Sequence, residues 1–207
     1  MANGRVITGY SKPYVAKYAI SDNTVSYTSV QALARGVSVS IEPDTGDAND
    51  FYADNMVAES VGAMFSGGTL TLTVDGLKDA ARKLISGISA TGESITIGTG
   101  ASAPTTTIYS YDDQQSVPYC GVGFIVRYME AGATSYVAYV LPKVAFKQEG
   151  LDAATQEEDI EFQTTELEAT IMRDDTTHHR WLRFSEECAT EALAENAVKV
   201  MLGASLS

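Results

Sequence analysis

The side chains in this sequence best suited to chemistry are few and badly placed for it. The only histidines, His178 and His179, are neighbours. On a strand they would point to opposite faces and share neither a substrate nor a metal ion, so a surface turn is their expected home. Cys120 and Cys188 stand far apart, with no C-x-x-C pair and no histidine cluster beside them. That arrangement suggests two buried free thiols instead of a zinc site or a disulfide framework. No G-x-S-x-G nucleophile motif and no phosphate loop occurs, and the glycines around Gly98 and Gly100 lack G-x-G-x-x-G spacing. No cofactor, metal or catalytic group is expected.

Carboxylates are abundant, and two groups invite a reading. Asp44, Asp47, Asp50 and Asp54 could offer oxygen ligands to calcium, but their spacing departs from the D-x-D-x-D-G loop, and a solvated acidic loop explains them more simply. Glu157, Asp159, Glu161, Glu166 and Glu168 could be searched for an acid/base pair of the glycosidase kind. Alternating exposed acids on a strand account for them with fewer assumptions. The expected protein is not an enzyme and works by its surface.

Charge sharpens that expectation. The chain has 207 residues, with 14 Lys+Arg against 27 Asp+Glu and a net charge of −13. Such a surface repels nucleic acid. From Glu149 to Glu195 fourteen acids face three arginines, so one face or cavity is expected to be strongly negative. At 44% hydrophobic residues the chain is rich enough to fold and large enough for one core, read here as a single domain over 1–207. No apolar run approaches the roughly 20 residues that cross a bilayer, and Met1 to Tyr10 lacks the pattern of a secretory leader.

The elements that must carry this surface are mostly strands. Period-2 alternation marks Tyr14 to Ile20, Arg35 to Glu42 and Thr69 to Val74, with Val25 to Tyr27 pairing back after a turn at Ser21-Asp22-Asn23. The densest β signal runs from Val117 to Met129 and from Thr134 to Gln148, joined by a tight connection at Glu130 to Ala133. In Asp159 to Met172 the apolar phase slips, which predicts a break near Thr164. A short strand over His179 to Phe184 would bury Leu182 and Phe184.

Two stretches read as loops. Glu42 to Glu59 holds six acids, no base, and the turn residues Pro43, Asp44 and Gly46, which suggests a long acidic loop; Gly98 to Gln115 is polar and suggests a loop or hairpin insertion. Helical spacing appears twice. Leu77, Ala80, Ala81, Leu84 and Ile85 predict a central helix, with Asp75 as cap and Gly87 as stop. Ala189, Leu193, Ala197 and Met201 predict a C-terminal helix, capped by Ser185, favoured at its start by Glu186 and Glu187, and ended by Gly203.

The order of these segments resembles the major tail proteins of long-tailed, non-contractile phages, in particular the phi13-type family. The resemblance spans nearly the whole chain. It rests on Tyr14 to Ile20 with the Ser-Tyr strand after it, on Val37 to Glu42 leading to FYADN at 51–55, and on TLTLTVDGL running into a helix. It continues in GVGFIVRY at 121–128, YVAYVLPKVAF at 136–146 and TQEEDIEFQTTELEATI at 155–171. The polar stretch 98–115 and the alanine-rich C-terminal helix go beyond the family pattern.

What the resemblance implies is a mainly β fold, a β-sandwich or partial barrel of the tail-tube kind, with one central helix and a C-terminal helix. It implies hexameric rings of identical copies, stacked into a tube through which DNA passes, in the virion tail after assembly in the bacterial cytoplasm. Tape measure, terminator and distal tail proteins would be its other partners, and no membrane is involved. Within that expectation some of the acids Glu157, Asp159, Glu161, Glu166 and Glu168 face the lumen, since the phase slip near Thr164 keeps both parities from pointing inward throughout. Asp44, Asp47, Asp50, Phe51, Tyr52 and Asp54 form an inter-ring contact loop. A tail terminator, a head decoration protein or a carbohydrate-binding β module are the rival readings.

Overall fold

A computed structural model describes residues 4–47, 49–53, 56–62, 64–88, 91–100, 102–113, 115–151 and 163–206. The protein is mainly β. Its elements run β1 (Val6–Ser21), β2 (Thr24–Ala32), β3 (Gly36–Thr45), β4 (Asn49–Ala53), β5 (Met56–Val61), β6 (Phe65–Val74), α1 (Asp79–Ser86), β7 (Glu93–Thr96) and β8 (Thr105–Ile108). They continue with β9 (Tyr119–Glu130), β10 (Ala133–Phe146), β11 (Thr165–Met172), β12 (Arg183–Phe184) and α2 (Glu191–Met201). One antiparallel sheet is ordered β2-β1-β9-β10-β11-β6-β3, with β12 added to β10, while β4-β5 and β7-β8 are separate two-stranded hairpins.

Local chemistry explains the tight connections. Asp22 and Asn23 between β1 and β2 have φ of 48° and 61°, and Ala131 and Gly132 between β9 and β10 have 48° and 85°. Two consecutive left-handed residues match the right-handed twist of the strands they join, and Asp, Asn and Gly tolerate that conformation best.

The main core lies on one side of the sheet. Val15, Leu33, Leu70, Leu72, Val122, Phe124, Leu141, Val144, Leu167 and Ile171 meet there, with Ala81 and Ile85 of α1 among them. A second cluster occupies the opposite face of β1, β9 and β10, where Ala16, Ile125, Ala138 and Val140 receive Ala194, Val198 and Leu202 from α2 and the residue that ends it. β9 is therefore buried on both faces. Gly121 and Gly123 make this possible: a Cβ on Gly121 would strike the Tyr27 ring, and one on Gly123 would lie 2.7 Å from Val198 Cγ1.

Several local expectations are corrected. Glu42 to Glu59 is not a loop for most of its length, since β3 continues to Thr45 and β4 and β5 pair as a hairpin. The polar stretch 98–115 takes its hairpin form through β7 and β8, with register Glu93↔Ile108 to Thr96↔Thr105. Asp75 does not cap α1. Its carboxylate instead accepts from the backbone N–H of Arg35 at 2.9 Å and pairs with the Arg35 guanidinium, while Lys78 occupies the N-cap without a side-chain bond. Gly87 ends the helix as expected, at φ 67°.

Toward the C-terminus the strand over His179 to Phe184 shrinks to β12, and Phe184 is 68% exposed instead of buried. Ser185 caps nothing, because its hydroxyl accepts from the Ala138 N–H at 3.0 Å and α2 begins later, capped by Thr190, whose oxygen accepts from the Leu193 N–H at 3.3 Å. The buried row of α2 is Ala194, Val198 and Leu202, one residue on from the expected row, and Leu193 is 54% exposed. Adjacent i, i+4 rows of this helix are both apolar. The one that meets the sheet is set by where the chain enters, just after Cys188 bridges to Tyr136. The expected break near Thr164 falls at the start of β11, and residues 152–162 before it lie outside the described residues.

Candidate functional site

The register of β3, β6 and β11 sorts their side chains into two sets of rows. Val39, Leu72 and Leu167 share one row and Ile41, Leu70 and Ala169 the next, all turned to the core. Between them lie Ser38–Thr73–Glu166, Ser40–Thr71–Glu168 and Glu42–Thr69–Thr170, on the outer face. The Ser38 and Thr73 hydroxyls are 2.9 Å apart. No lysine or arginine occurs in the three strands; Lys147, just past β10, is paired with Glu168, and Arg173, just past β11, donates to the Phe65 carbonyl. The strands offer hydroxyls and carboxylates to this face, and the Lys147 ammonium that reaches it is held by Glu168.

Of the five acids expected to act together, Glu166 and Glu168 stand on this face, Glu166 exposed and Glu168 half-buried. Glu157, Asp159 and Glu161 lie outside the described residues.

The second expected group gathers at one end of the same strands. Where β3 and β6 begin to part, the Gly46 N–H donates to the Met64 carbonyl at 3.0 Å, and beyond them β4 and β5 form their hairpin. Asp44 is exposed on β3 and Asp47 is exposed in the connection that follows. Asp50, Phe51 and Tyr52 belong to β4, in register with Ser60, Glu59 and Val57, and a bulge separates Phe51 from Tyr52. Asp54 lies outside the described residues. Among the described residues the hairpin has no third strand, and a two-stranded hairpin is marginal in water until something packs on it.

At the other end of β6 the chain enters α1. A cavity of about 450 Å³ opens there between α1, β2 and the approach to β9, lined in part by Lys17, Ser29, Gln31, Lys83 and Ser116. Lys83 Nζ sits 3.4 Å above the ring of Tyr109. This cavity was not foreseen, since its parts come from four separate stretches of sequence with no shared motif.

Other polar groups are structural. Lys143 is nearly buried and its ammonium meets both Asp175 oxygens at 2.7 and 2.8 Å, while the Tyr18 hydroxyl donates to the same carboxylate at 3.0 Å. The Lys143 bond holds the Asp175 pKa below the ordinary carboxylate value, and burial pushes the Tyr18 hydroxyl up to about 12. Buried Asp174 accepts from the Thr176 hydroxyl at 2.7 Å and the Arg180 N–H at 2.9 Å, which fixes a surface turn carrying His178 and His179. Glu195 of α2 accepts from Lys12, from Tyr14 at 2.6 Å and from Lys199 at 2.7 Å, and these bonds lower its pKa to about 2. Lys12 reaches it from a bulge in β1, at φ 50°. Cys120 is buried with its thiol pushed up to about 12, and Cys188 is half-buried; both are free.

No protein-family model matches the chain, and no curated protein matches it.

Proposed function

We propose that this protein is a structural, self-assembling tube protein of the phage major-tail-protein type, whose copies form stacked rings around a channel that DNA crosses without sticking. The observation that carries the reading is the outer face of β3, β6 and β11. A sheet this well packed on its inner side, with hydroxyls and carboxylates outside and the flanking Lys147 tied to Glu168, suits the wall of a conduit for a polyanion. Phosphates find no counter-ion in these strands to hold them, and water keeps the surface wet. The edge strands β2 and β3 each have one partner in the main sheet, so a ring of identical copies could use its free edges for closure. On this reading the protein acts in the virion tail with terminator, tape measure and distal tail proteins, and without enzymatic activity.

The test is negative-stain microscopy and sedimentation of the purified full chain over a concentration series. Open-ended cylinders of uniform width are expected. Monodisperse monomers at the highest concentration reached would overturn the reading.

A further inference from the structure

Most guanidiniums of this chain have structural work. Arg5, Arg35 and Arg82 are ion-paired with carboxylates, and Arg173 donates to the Phe65 carbonyl. Arg127, Arg180 and Arg183 have no side-chain partner among the described residues, although the chain carries 27 acids. Arg127 stands alone on β9. Arg180 and Arg183 line one cavity of about 460 Å³, between the turn that starts at Asp174, the first residues of β2 and the C-terminal end of α2.

The fold puts both arginines there. β12 sets Arg183 opposite Val140, which belongs to the cluster under α2, so the Arg183 side chain stands on the α2 side of the sheet and Phe184 on the other. Burial pushes the Tyr27 hydroxyl up and the Arg183 charge acts in the opposite sense, so that charge is felt at the cavity wall. Arg180 is anchored by its backbone: its N–H donates to the Asp174 carboxylate at 2.9 Å and its carbonyl accepts from the Asp174 N–H at 2.8 Å.

Groups nearby that might absorb this charge are engaged with others. Asp174, the one carboxylate in the wall, is buried and also accepts from the Thr176 hydroxyl; Asp175 is tied to Lys143, and Asp22 faces the Ser21 hydroxyl. The last carbonyls of α2, which a guanidinium could cap, already accept from the backbone: Val198 from Leu202, Val200 from Gly203 and Lys199 from Ala204. Thr24 to Tyr27 belong to an edge strand, whose outward N–H groups have no strand partner. The wall thus holds two guanidiniums against one carboxylate on a chain of net charge −13.

We infer that this cavity binds a phosphate group, free or carried on a small molecule, gripped by Arg180 and Arg183. Guanidinium forks match phosphate oxygens, and two of them suit a group that carries close to two charges and three acceptor oxygens near neutral pH. A phosphodiester offers a single charge. The volume falls within the roughly 300–1,000 Å³ of small-ligand clefts. The site does not depend on the tube reading and would be present in a single copy.

Calorimetric titration of the full-length chain in phosphate-free buffer, first with inorganic phosphate and then with glycerol 3-phosphate, tests this. Saturable binding with one site per chain is expected. Arg180→Gln with Arg183→Gln should keep the wild-type melting temperature and weaken binding at least about tenfold, since each fork supplies charge-assisted hydrogen bonds. Each single change should weaken it less, which keeps the test usable if the double variant melts early. Arg127→Gln should leave it unchanged. Tighter binding of glycerol 3-phosphate supports an esterified ligand at this site, and tighter binding of inorganic phosphate supports the free ion. No saturable binding of either up to about 10 mM, weaker than any affinity worth about 3 kcal/mol, overturns the proposal. So does an equal loss in Arg127→Gln, or undiminished binding in both single variants.

Discussion

The two halves of the sheet are built to different rules. Around β9 both faces are buried: Val122 and Phe124 point to the main core, while Gly121, Gly123 and Ile125 lie under α2. Around β6 only one face is buried, by Leu70, Leu72 and Val74, and the other presents Thr69, Thr71 and Thr73 between serines and glutamates. The first half holds the molecule together and has no spare surface. The second half is held through its core rows, yet its outer rows are free to be chosen for what they face. Mutations should therefore separate cleanly into those that unfold the chain and those that change only its surface.

The largest effect is expected at the point where the packing is densest. Phe124 lies edge-on to Tyr10 at 5.6 Å and stacked on Tyr139 at 5.8 Å. Phe124→Ala should cost about 3–5 kcal/mol, read as a shift in the urea midpoint. Gly123→Ala comes next. Its new methyl meets Val198 Cγ1, with Val140 Cγ2 at 3.1 Å on the other side, and about 1–3 kcal/mol should be lost. Adding Val198→Ala should return part of that loss, and no recovery would show that α2 does not rest where it is placed here.

Glu195 tests how α2 is held from the polar side. Its pKa falls from the ordinary 4.5 to about 2 on folding, chiefly through Lys12, then Lys199 and Tyr14. A depressed carboxylate stabilises the fold fully above the unfolded value, and that contribution is lost as pH falls from about 4.5 toward 2. Glu195→Gln should cost about 1–3 kcal/mol at neutral pH and flatten the acid limb of the stability profile. An unaltered acid limb would assign acid sensitivity elsewhere, to Asp175 with its Lys143 partner.

The contrast between the halves also explains what the sequence made legible. Alternation of Leu70, Leu72 and Val74 with threonines marks a strand buried on one side, and it sits where expected. Asp22-Asn23 and Gly132 mark their turns through backbone tolerance. Two of the errors share one cause, that a residue's partner lies far away in sequence. Asp75 looks like a helix cap until Arg35 takes it, and Ser185 looks like one until Ala138 does. The helix α2 carries two apolar rows, and the point where the chain enters, just after the Cys188–Tyr136 bridge, decides between them. Asn49–Ala53 and Met56–Val61 read as loop because acids and turn residues mask alternation that backbone pairing reveals. The pairing of Lys17 with Lys83 around one cavity leaves no trace in local sequence, and neither does the outer face, which needs the register of three strands to be seen.

That face gives the smallest effect on stability and the most pointed one on function. Thr71 stands in the middle row between Ser40 and Glu168, with its side chain on the outer side. Thr71→Lys should change stability by no more than about 0.5 kcal/mol, since a surface substitution disturbs no core contact. It would, however, add an unpaired ammonium per copy to a wall whose neighbouring Lys147 is already tied to Glu168, repeated around every ring. If the wall faces a channel for DNA, tubes of this variant should retain added linear DNA at low salt and release it as salt rises, because each new phosphate contact displaces counter-ions. Wild-type tubes should retain none. Variant tubes that bind no more DNA than wild type would place this face away from the channel, whatever the tube is for.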